Sequence, residues 1–432
     1  MAFVLFGLFF ILVFLNVPIA VALGLSSILV LALSASFGIP LPLEMFPNLM
    51  YSGIGKFALL AIPYFIMAGL IMEYAGISKR LIRFASACIG HTNSGLIIVV
   101  VAVSCFFAAI SGSGPATVAA LGAILIPAMV SAGYNKGLST ALMSSSGAIG
   151  IIIPPSILYV VYASIADVSV GKIFAGGLFP GILLGAAFVF AAMYGSRKDS
   201  ITKQPKASAK ERWDAFKDAV WGLLTPVVIL GGIYGGVFTP TESAGVAIIY
   251  GLFVGIFIYK EINLKNISKL FVDAAVMSAT VMYIIACASV FAWLLTTSHI
   301  ATDVSEALLA FSGNNPIILL IIVNIIFLIA GCFLDANSAC YILVPVLLPV
   351  CKQLGIDPIH FGVFMTVNLA IGLVTPPVGV NLYVGASILN IPVIDVIRKI
   401  IPFVIAGIIA LIIITYIPQL TMFMANLAGG GR

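Results

Sequence analysis

Charge is what this sequence has least of. Only 8% of its 432 residues are Asp, Glu, Lys or Arg, against 62% hydrophobic, whereas a soluble domain carries about 25% charged residues. So few charges cannot build a water-facing surface, so nearly all of the chain must face lipid or other apolar protein. A cytosolic enzyme, a nucleic-acid binder and a secreted disulfide scaffold are excluded on that ground. Histidine is scarcer still: His91, His299 and His360 fall near expected interfaces rather than inside spans, which leaves no proton relay. The six cysteines (Cys88, Cys105, Cys287, Cys332, Cys340, Cys351) stand singly in apolar runs without a CxxC pair, and read as small buried hydrophobes. The opening run has no basic n-region and no cleavage-like site before a second apolar segment begins, so it is expected to be a membrane segment and not a removable signal.

The charges that are present cluster. Residues 196–220 hold eleven of them, leaving 24 for the other 407 positions, so the net charge of +5 describes one membrane face and not an anionic partner. Shifting the chain before that stretch by 222 positions places Pro18 on Pro240, Asn93 on Asn315, Pro127 on Pro349, Gly133 on Gly355, Gly150 on Gly372, Pro154-Pro155 on Pro376-Pro377, and Pro180 on Pro402. Proline is only about one residue in twenty, so a Pro-Pro pair with further Pro matches at one offset signals an internal repeat. The halves are 1–195 and 218–428, joined by a basic linker at 196–217.

A span needs about 20 apolar residues. By that measure the first half contains spans at 2–16, 18–37, 57–75, 138–165 and 173–195, and the second at 220–238, 241–259, 272–295, 360–388 and 401–424. Each half also carries two shorter arms joined by small and polar residues, 94–131 and 316–351, which suit re-entrant hairpins. Before each hairpin a mixed stretch, 77–92 and 299–313, reads as an interfacial amphipathic helix. Five crossings per half make the halves opposite in orientation. With the linker in the cytoplasm, sixteen of the twenty Lys and Arg lie inside, and only Lys56, Lys172, Lys352 and Arg432 outside. The expected fold is an all-α membrane protein: an inverted repeat of about ten transmembrane helices, two re-entrant hairpins and interfacial helices. Segments 2–75 and 220–295 are its expected scaffold.

Polar groups inside the apolar regions are few, and each needs a cavity or a partner. One set sits at the hairpin tips, Ser111-Gly-Ser-Gly-Pro-Ala-Thr117 and Leu334-Asp-Ala-Asn-Ser338, with Asp335 on the shifted position of Ser113. Small and hydroxyl or carboxamide groups there meet helix termini, the makings of a binding site for an ion or small anion. The other set surrounds Pro154-Pro155 and Pro376-Pro377, inside the expected broken helices 138–165 and 360–388. Consecutive prolines remove backbone donors and break the helix. The carbonyls thus freed, one set in each half, point to sodium and substrate sites of a transporter. Glu73, Glu242 and Asp273 fall at span ends and read as snorkelling or capping, while Asn324 has the position of an interhelical hydrogen bond.

Four motifs in order, SGSGPAT at 111–117, GAIGIIIPPS at 147–156, LDANS at 334–338 and GLVTPPVGVNLY at 372–383, resemble the large membrane subunit of the TRAP transporters, the DctM-like family. The resemblance spans essentially the whole chain. It implies a sodium-driven elevator-type importer of the bacterial inner membrane, with two partners: a small four-helix membrane subunit, encoded separately, and a periplasmic substrate-binding protein that delivers an organic anion. C4-dicarboxylates and sialic acid are the family's best-known substrates, and the sialic acid type is the nearer resemblance. On this reading one sodium ion takes Ser111 and carbonyls around Gly150, Ile153 and Pro155, a second takes Gly331, Gly372, Thr375 and Val378, and the substrate meets Ser113, Thr117, Ser156, Asp335, Asn337, Ser338 and Asn381. The hairpins and broken helices would move together past the scaffold. A stand-alone sodium/anion symporter is the alternative. An intramembrane serine protease would need a histidine base deep in a neighbouring span, and an ABC permease is disfavoured by the inverted repeat. No enzyme activity, nucleic acid or further cofactor is expected, and membrane lipid is the surrounding partner.

Overall fold

The computed structural model describes residues 1–38, 40–92, 94–202 and 205–429. Asn93, Lys203 and Arg432, which enter the repeat and charge arguments, lie outside the described residues. Among the described residues the chain is helical, without a strand. The first half runs α1 (Ala2–Phe14), α2 (Ile19–Ala32), α3 (Met45–Ile54), α4 (Ala61–Tyr74), α5 (Ile77–Ile89), α6 (Gly95–Ser111), α7 (Gly114–Ser131), α8 (Lys136–Ala148), α9 (Ile157–Ala166) and α10 (Val170–Gly195). The second runs α11 (Ala209–Tyr234), α12 (Pro240–Phe253), α13 (Leu264–Thr297), α14 (Ile300–Ser312), α15 (Pro316–Phe333), α16 (Ala336–Gln353), α17 (Pro358–Gly372), α18 (Val380–Leu389), α19 (Val393–Tyr416) and α20 (Gln419–Gly429).

Eight segments among the described residues are long and apolar enough to cross a membrane. Six are expected spans; the other two, Gly114–Ser131 and Pro316–Phe333, are arms of the expected hairpins, longer than the sequence reading required of a re-entrant arm. Helices α1 and α2 have 13 and 14 residues, so each reaches only about 20 Å at 1.5 Å per residue. The remaining two expected spans are each a pair of short helices, α8 with α9 and α17 with α18, separated at the Pro-Pro positions.

Structure follows the 222-residue shift from α5 to α10 and from α14 to α19, element for element. Gly133 and Gly355 close α7 and α16 with φ of +96° and +78°, a conformation in which a Cβ is strained. Pro127 and Pro349 lie inside those same helices, and Pro180 and Pro402 inside α10 and α19. The halves part company earlier: α3 and α4 are separate, while the matching stretch of the second half is the single 34-residue α13.

Three boundaries differ from the sequence reading. The linker ends early, because Ser208 and Glu211 form a capping box (Glu211 N to Ser208 Oγ 3.2 Å, Ser208 N to Glu211 Oε2 2.7 Å) and α11 starts at Ala209. That S-x-x-E signal stands in the sequence, but the density of charge around it masked the helix. Helix α3 was missed because it is only 10 residues long and its apolar face, Phe46, Leu49, Met50 and Ile54, is only partly buried. The last span divides at Pro418, which has no amide hydrogen and so separates α19 from α20.

Aromatic packing of Phe6 and Phe9 on Phe291 binds α1 to α13. Elsewhere small residues let helices approach closely. A Cβ on Gly372 would come within 2.5 Å of the Gly331 backbone, so α15 and α17 touch main chain to main chain. The interfacial helix α5 is fixed electrostatically. Arg80 is only 17% exposed; it pairs with Asp218 at 3.2 Å and Glu261 at 3.4 Å, donates to the carbonyls of Ala75 and Gly76, and stacks on Tyr259. Arg83 reaches Asp218 at 3.5 Å but is 63% exposed. Charge-assisted bonds of a half-buried group are worth about 1.5–3 kcal/mol and exposed pairs about 0–1 kcal/mol. Arg80→Ala should therefore lower the unfolding temperature of the detergent-purified protein clearly more than Arg83→Ala does, and equal shifts would show that the network does not hold α5.

Candidate functional site

The two hairpin tips converge on a cavity of ≈ 200 Å³, closed on one side by α4 and α13. Ser111, Gly112, Ser113, Gly114, Pro115 and Ala116 of the first tip and Asp335, Ala336 and Asn337 of the second line it, facing Ile66, Gly69, Leu70, Glu73, Met277 and Val281. No Lys, Arg or His is among the lining residues.

The first tip rests on the break of its own half, and in the second half the end of α15 packs on the end of α17. The first break, Ile151 to Ser156, is buried throughout. Ser156 caps α9, its hydroxyl donating to Ile151 O at 2.6 Å and accepting from Tyr159 N at 3.4 Å. The carbonyls of Ile153, Pro154 and Pro155 accept no backbone hydrogen bond. Gly150 lies under the tip, where a Cβ would come within 3.0 Å of both Ser113 O and Thr117 Oγ1, and Pro155 O lies equally close to a Cβ built on Gly112. The second break is more open. Thr375 Oγ1 donates to Ile371 O at 2.7 Å, the carbonyls of Pro376, Pro377 and Val378 are unbonded, and Val378 is 39% exposed.

Of the residues expected to meet the substrate, Ser113, Asp335 and Asn337 stand at the cavity wall. Thr117, Ser156, Ser338 and Asn381 are fully buried behind it; the three hydroxyls are engaged, while the Asn381 side-chain oxygen has no partner among the described residues. Thr117 Oγ1 donates to Ser113 O at 2.7 Å and Ser338 Oγ to Asp335 Oδ1. Asn381 Nδ2 donates to Ser144 O at 3.0 Å while Ser144 Oγ donates to Asn381 O at 2.9 Å, a reciprocal pair that joins α18 to α8 and so links the two halves. Of the residues expected at sodium, Ser111 lines the cavity, its hydroxyl 3.4 Å from Ser113 O, and Gly331 packs on Gly372. Asp335 caps α16, accepting from Asn337 N at 3.1 Å and Ser338 N at 3.0 Å.

Four residues have places that sequence reasoning did not assign. Glu73 stands at the end of α4, as expected, and also forms part of the cavity wall. Gly69 brings α4 against the first tip, where a Cβ would lie 3.2 Å from Ile110 O. Asp273, within α13, accepts from Tyr74 OH at 2.8 Å. His360, in the first turn of α17, is 3% exposed, with ring nitrogens 2.8 Å from Thr421 Oγ1 and 3.0 Å from Thr415 O. Glu242, in contrast, does cap its helix, through Thr239. Asn324 forms the expected interhelical bonds, 2.7 Å from Asn368 Nδ2 and 3.3 Å from Thr415 Oγ1.

Residues 6–420 match the family described as the tripartite ATP-independent periplasmic transporter, DctM component. The chain belongs to this DctM family. It is 37% identical over 442 residues to the C4-dicarboxylate TRAP transporter large permease protein DctM of Rhodobacter capsulatus, covering 99% of both chains. It is 40% identical over 424 residues to the isethionate TRAP transporter permease protein DctMQ of Oleidesulfovibrio alaskensis, covering 98% of this chain and 66% of that one. The sialic acid TRAP transporter permease protein SiaT of Haemophilus influenzae is 34% identical, across 96% of this chain and 67% of its own. In fold the chain resembles the YdaH transporter of Alcanivorax borkumensis, with a TM-score of 0.58, 16% identity and coverage of 90% and 89%. As a DctM-family member the chain is a multi-pass membrane transporter permease and not an enzyme.

In this permease the Asp335 cap separates two roles of one side chain. Asparagine caps a helix about as well as aspartate, while alanine costs about 0.5–2 kcal/mol. Asp335→Ala should lower the unfolding temperature in detergent and Asp335→Asn should leave it nearly unchanged. A large loss in both would mean that the charge itself holds the tip.

Proposed function

We propose that this DctM-family permease is the large membrane subunit of a sodium-driven, binding-protein-dependent secondary transporter of the bacterial inner membrane, importing a small organic anion by an elevator motion. The observation that carries the reading is the pairing of each hairpin tip with a proline-broken helix around a cavity that has no cationic side chain. Carbonyl and hydroxyl oxygens are hard ligands suited to a hard cation. Ser111 with the carbonyls near Gly150, Ile153 and Pro155, and Thr375 with those near Gly331, Gly372 and Val378, supply such oxygens in each half. Sodium bound there would give an anion the positive charge that the protein omits. The anion itself then sits at Ser113 and Asn337, with Asp335 beside it, and Thr117, Ser156, Ser338 and Asn381 shape the wall from behind.

Such neutral hydrogen bonds have roughly half the strength of charge-assisted ones, so the membrane site is weak and high-affinity capture falls to a periplasmic binding protein. The small four-helix membrane subunit completes the assembly. The names of the relatives span isethionate, C4-dicarboxylate and sialic acid. Identity is lower to the sialic acid relative than to the other two, which favours a small organic anion over sialic acid in particular.

Each sodium charge carried inward gains about 2.3 kcal/mol per 100 mV. Uptake by the reconstituted permease, small subunit and binding protein should require an inward sodium gradient and increase with an inside-negative potential. Uptake that persists with choline in place of sodium under a proton gradient would refute sodium coupling. Motion has its own test at the end the topology assigns to the outside, where Lys56 Nζ donates to Ser164 O at 2.6 Å, tying the α3–α4 connection to α9. Bridging Lys56→Cys to Ser164→Cys with a short dithiol-reactive linker should stop uptake, and reduction of the linker should restore it. Unchanged uptake in the bridged protein would exclude movement of α9 past this part of the scaffold.

A further inference from the structure

The two poles of the cavity are chemically unlike. At the first tip, Ser113 precedes α7 without a side-chain cap; Pro115 has no amide hydrogen, so those of Gly114 and Ala116 remain uncommitted and the positive end of the helix is uncompensated. At the second tip, the equivalent position is Asp335, whose carboxylate takes up Asn337 N and Ser338 N and neutralises the positive end of α16. Across from the tips Glu73 adds a second carboxylate from the scaffold. Its side chain makes no hydrogen bond or ion pair with any described residue, and its repeat position is Leu295, so the other half offers no matching charge.

We propose that Glu73 is a specificity-determining residue which, with Asp335, makes this a site for monoanions that carry hydroxyl or ammonium groups away from the acid, and disfavours dianions. The inference rests on the proposed placement of the substrate between the tips. The acid group sits at the donor pole formed by Ser113 and the start of α7, where an anion meets amide hydrogens and the helix dipole. The far end of the substrate then faces Glu73 and Asp335, which only accept hydrogen bonds when ionised. A hydroxyl or ammonium group donates to them. A second carboxylate there meets like charge in a partly desolvated cavity and has no donor in return, a repulsive element of the kind that sets specificity. Of the two carboxylates, Glu73 is the free one, since Asp335 is occupied with its own helix.

The test uses two four-carbon probes that differ only at the far end, 4-hydroxybutyrate and succinate. Their binding to the purified complex of permease and small subunit is measured by calorimetry in sodium buffer at neutral pH. Wild type should bind 4-hydroxybutyrate about tenfold or more tightly than succinate, and Glu73→Gln should narrow that ratio by about tenfold, chiefly by improving succinate. A ratio unchanged in Glu73→Gln, equal or tighter succinate binding by wild type, or failure of the hydroxy acid to bind wild type overturns the proposal. The combined variant Ser113→Ala and Asn337→Ala separates this from the underlying reading. If it loses both probes while Glu73→Gln leaves the ratio unchanged, the anion still sits between the tips and only the role of Glu73 falls. Binding of both probes at wild-type strength in the combined variant would remove the substrate from the tips altogether.

Discussion

In a bilayer every backbone polar group must find its partner within the protein, and this chain breaks that condition deliberately twice. At Pro154-Pro155 and Pro376-Pro377 two helices stop in mid-segment and leave carbonyls without amide partners. Much else in the structure follows from sheltering those carbonyls. A hairpin tip lies over the first break because Gly150 and Gly112 have no side chains to hold it off, and α15 packs on the end of α17 because Gly331 and Gly372 allow main-chain contact. Ser156 caps the helix that resumes after the first break, and Thr375 donates to the last turn before the second.

The repeat supplies this arrangement twice, but the copies are not equivalent. The first break is buried and the second is partly open. Serine stands at one tip where aspartate stands at the other, and the scaffold helix that carries Glu73 is matched by a stretch of α13 without a carboxylate. The two halves are also joined to each other, through the reciprocal Ser144 and Asn381 bonds between α8 and α18. A second polar chain, from Asn368 through Asn324 and Thr415 to His360 and Thr421, ties α17 to α15 and to the corner between α19 and α20. Buried bonds of this kind orient helices whose apolar surfaces alone would slide. Separately, α5 is held to α11 and the α12–α13 connection by Arg80 with Asp218 and Glu261.

Periodicity and composition were enough to read the class of fold, because span length and the placement of proline and glycine are one-dimensional properties. The positions of α6, α7, α15 and α16, both interruptions and the recurring Gly133 and Gly355 were visible in that way. The cap at Ser208 was readable too, though its charged surroundings concealed it. Which polar side chains share a cavity is not a one-dimensional property. Thr117, Ser113 and Ser156 look alike along the chain, yet packing turns Thr117 and Ser156 inward to main-chain carbonyls and leaves Ser113 at the wall. Glu73 and Asp335, 262 positions apart, line the same cavity only because α4 packs against the first tip and the two tips converge, and His360 is a buried tie only because α20 folds back beside α17. By itself the sequence determined where helices begin, stop and repeat, since those follow from local backbone chemistry and the thickness of a membrane. The tertiary structure alone decided which groups face one another, since contacts between distant segments depend on packing that no local pattern encodes.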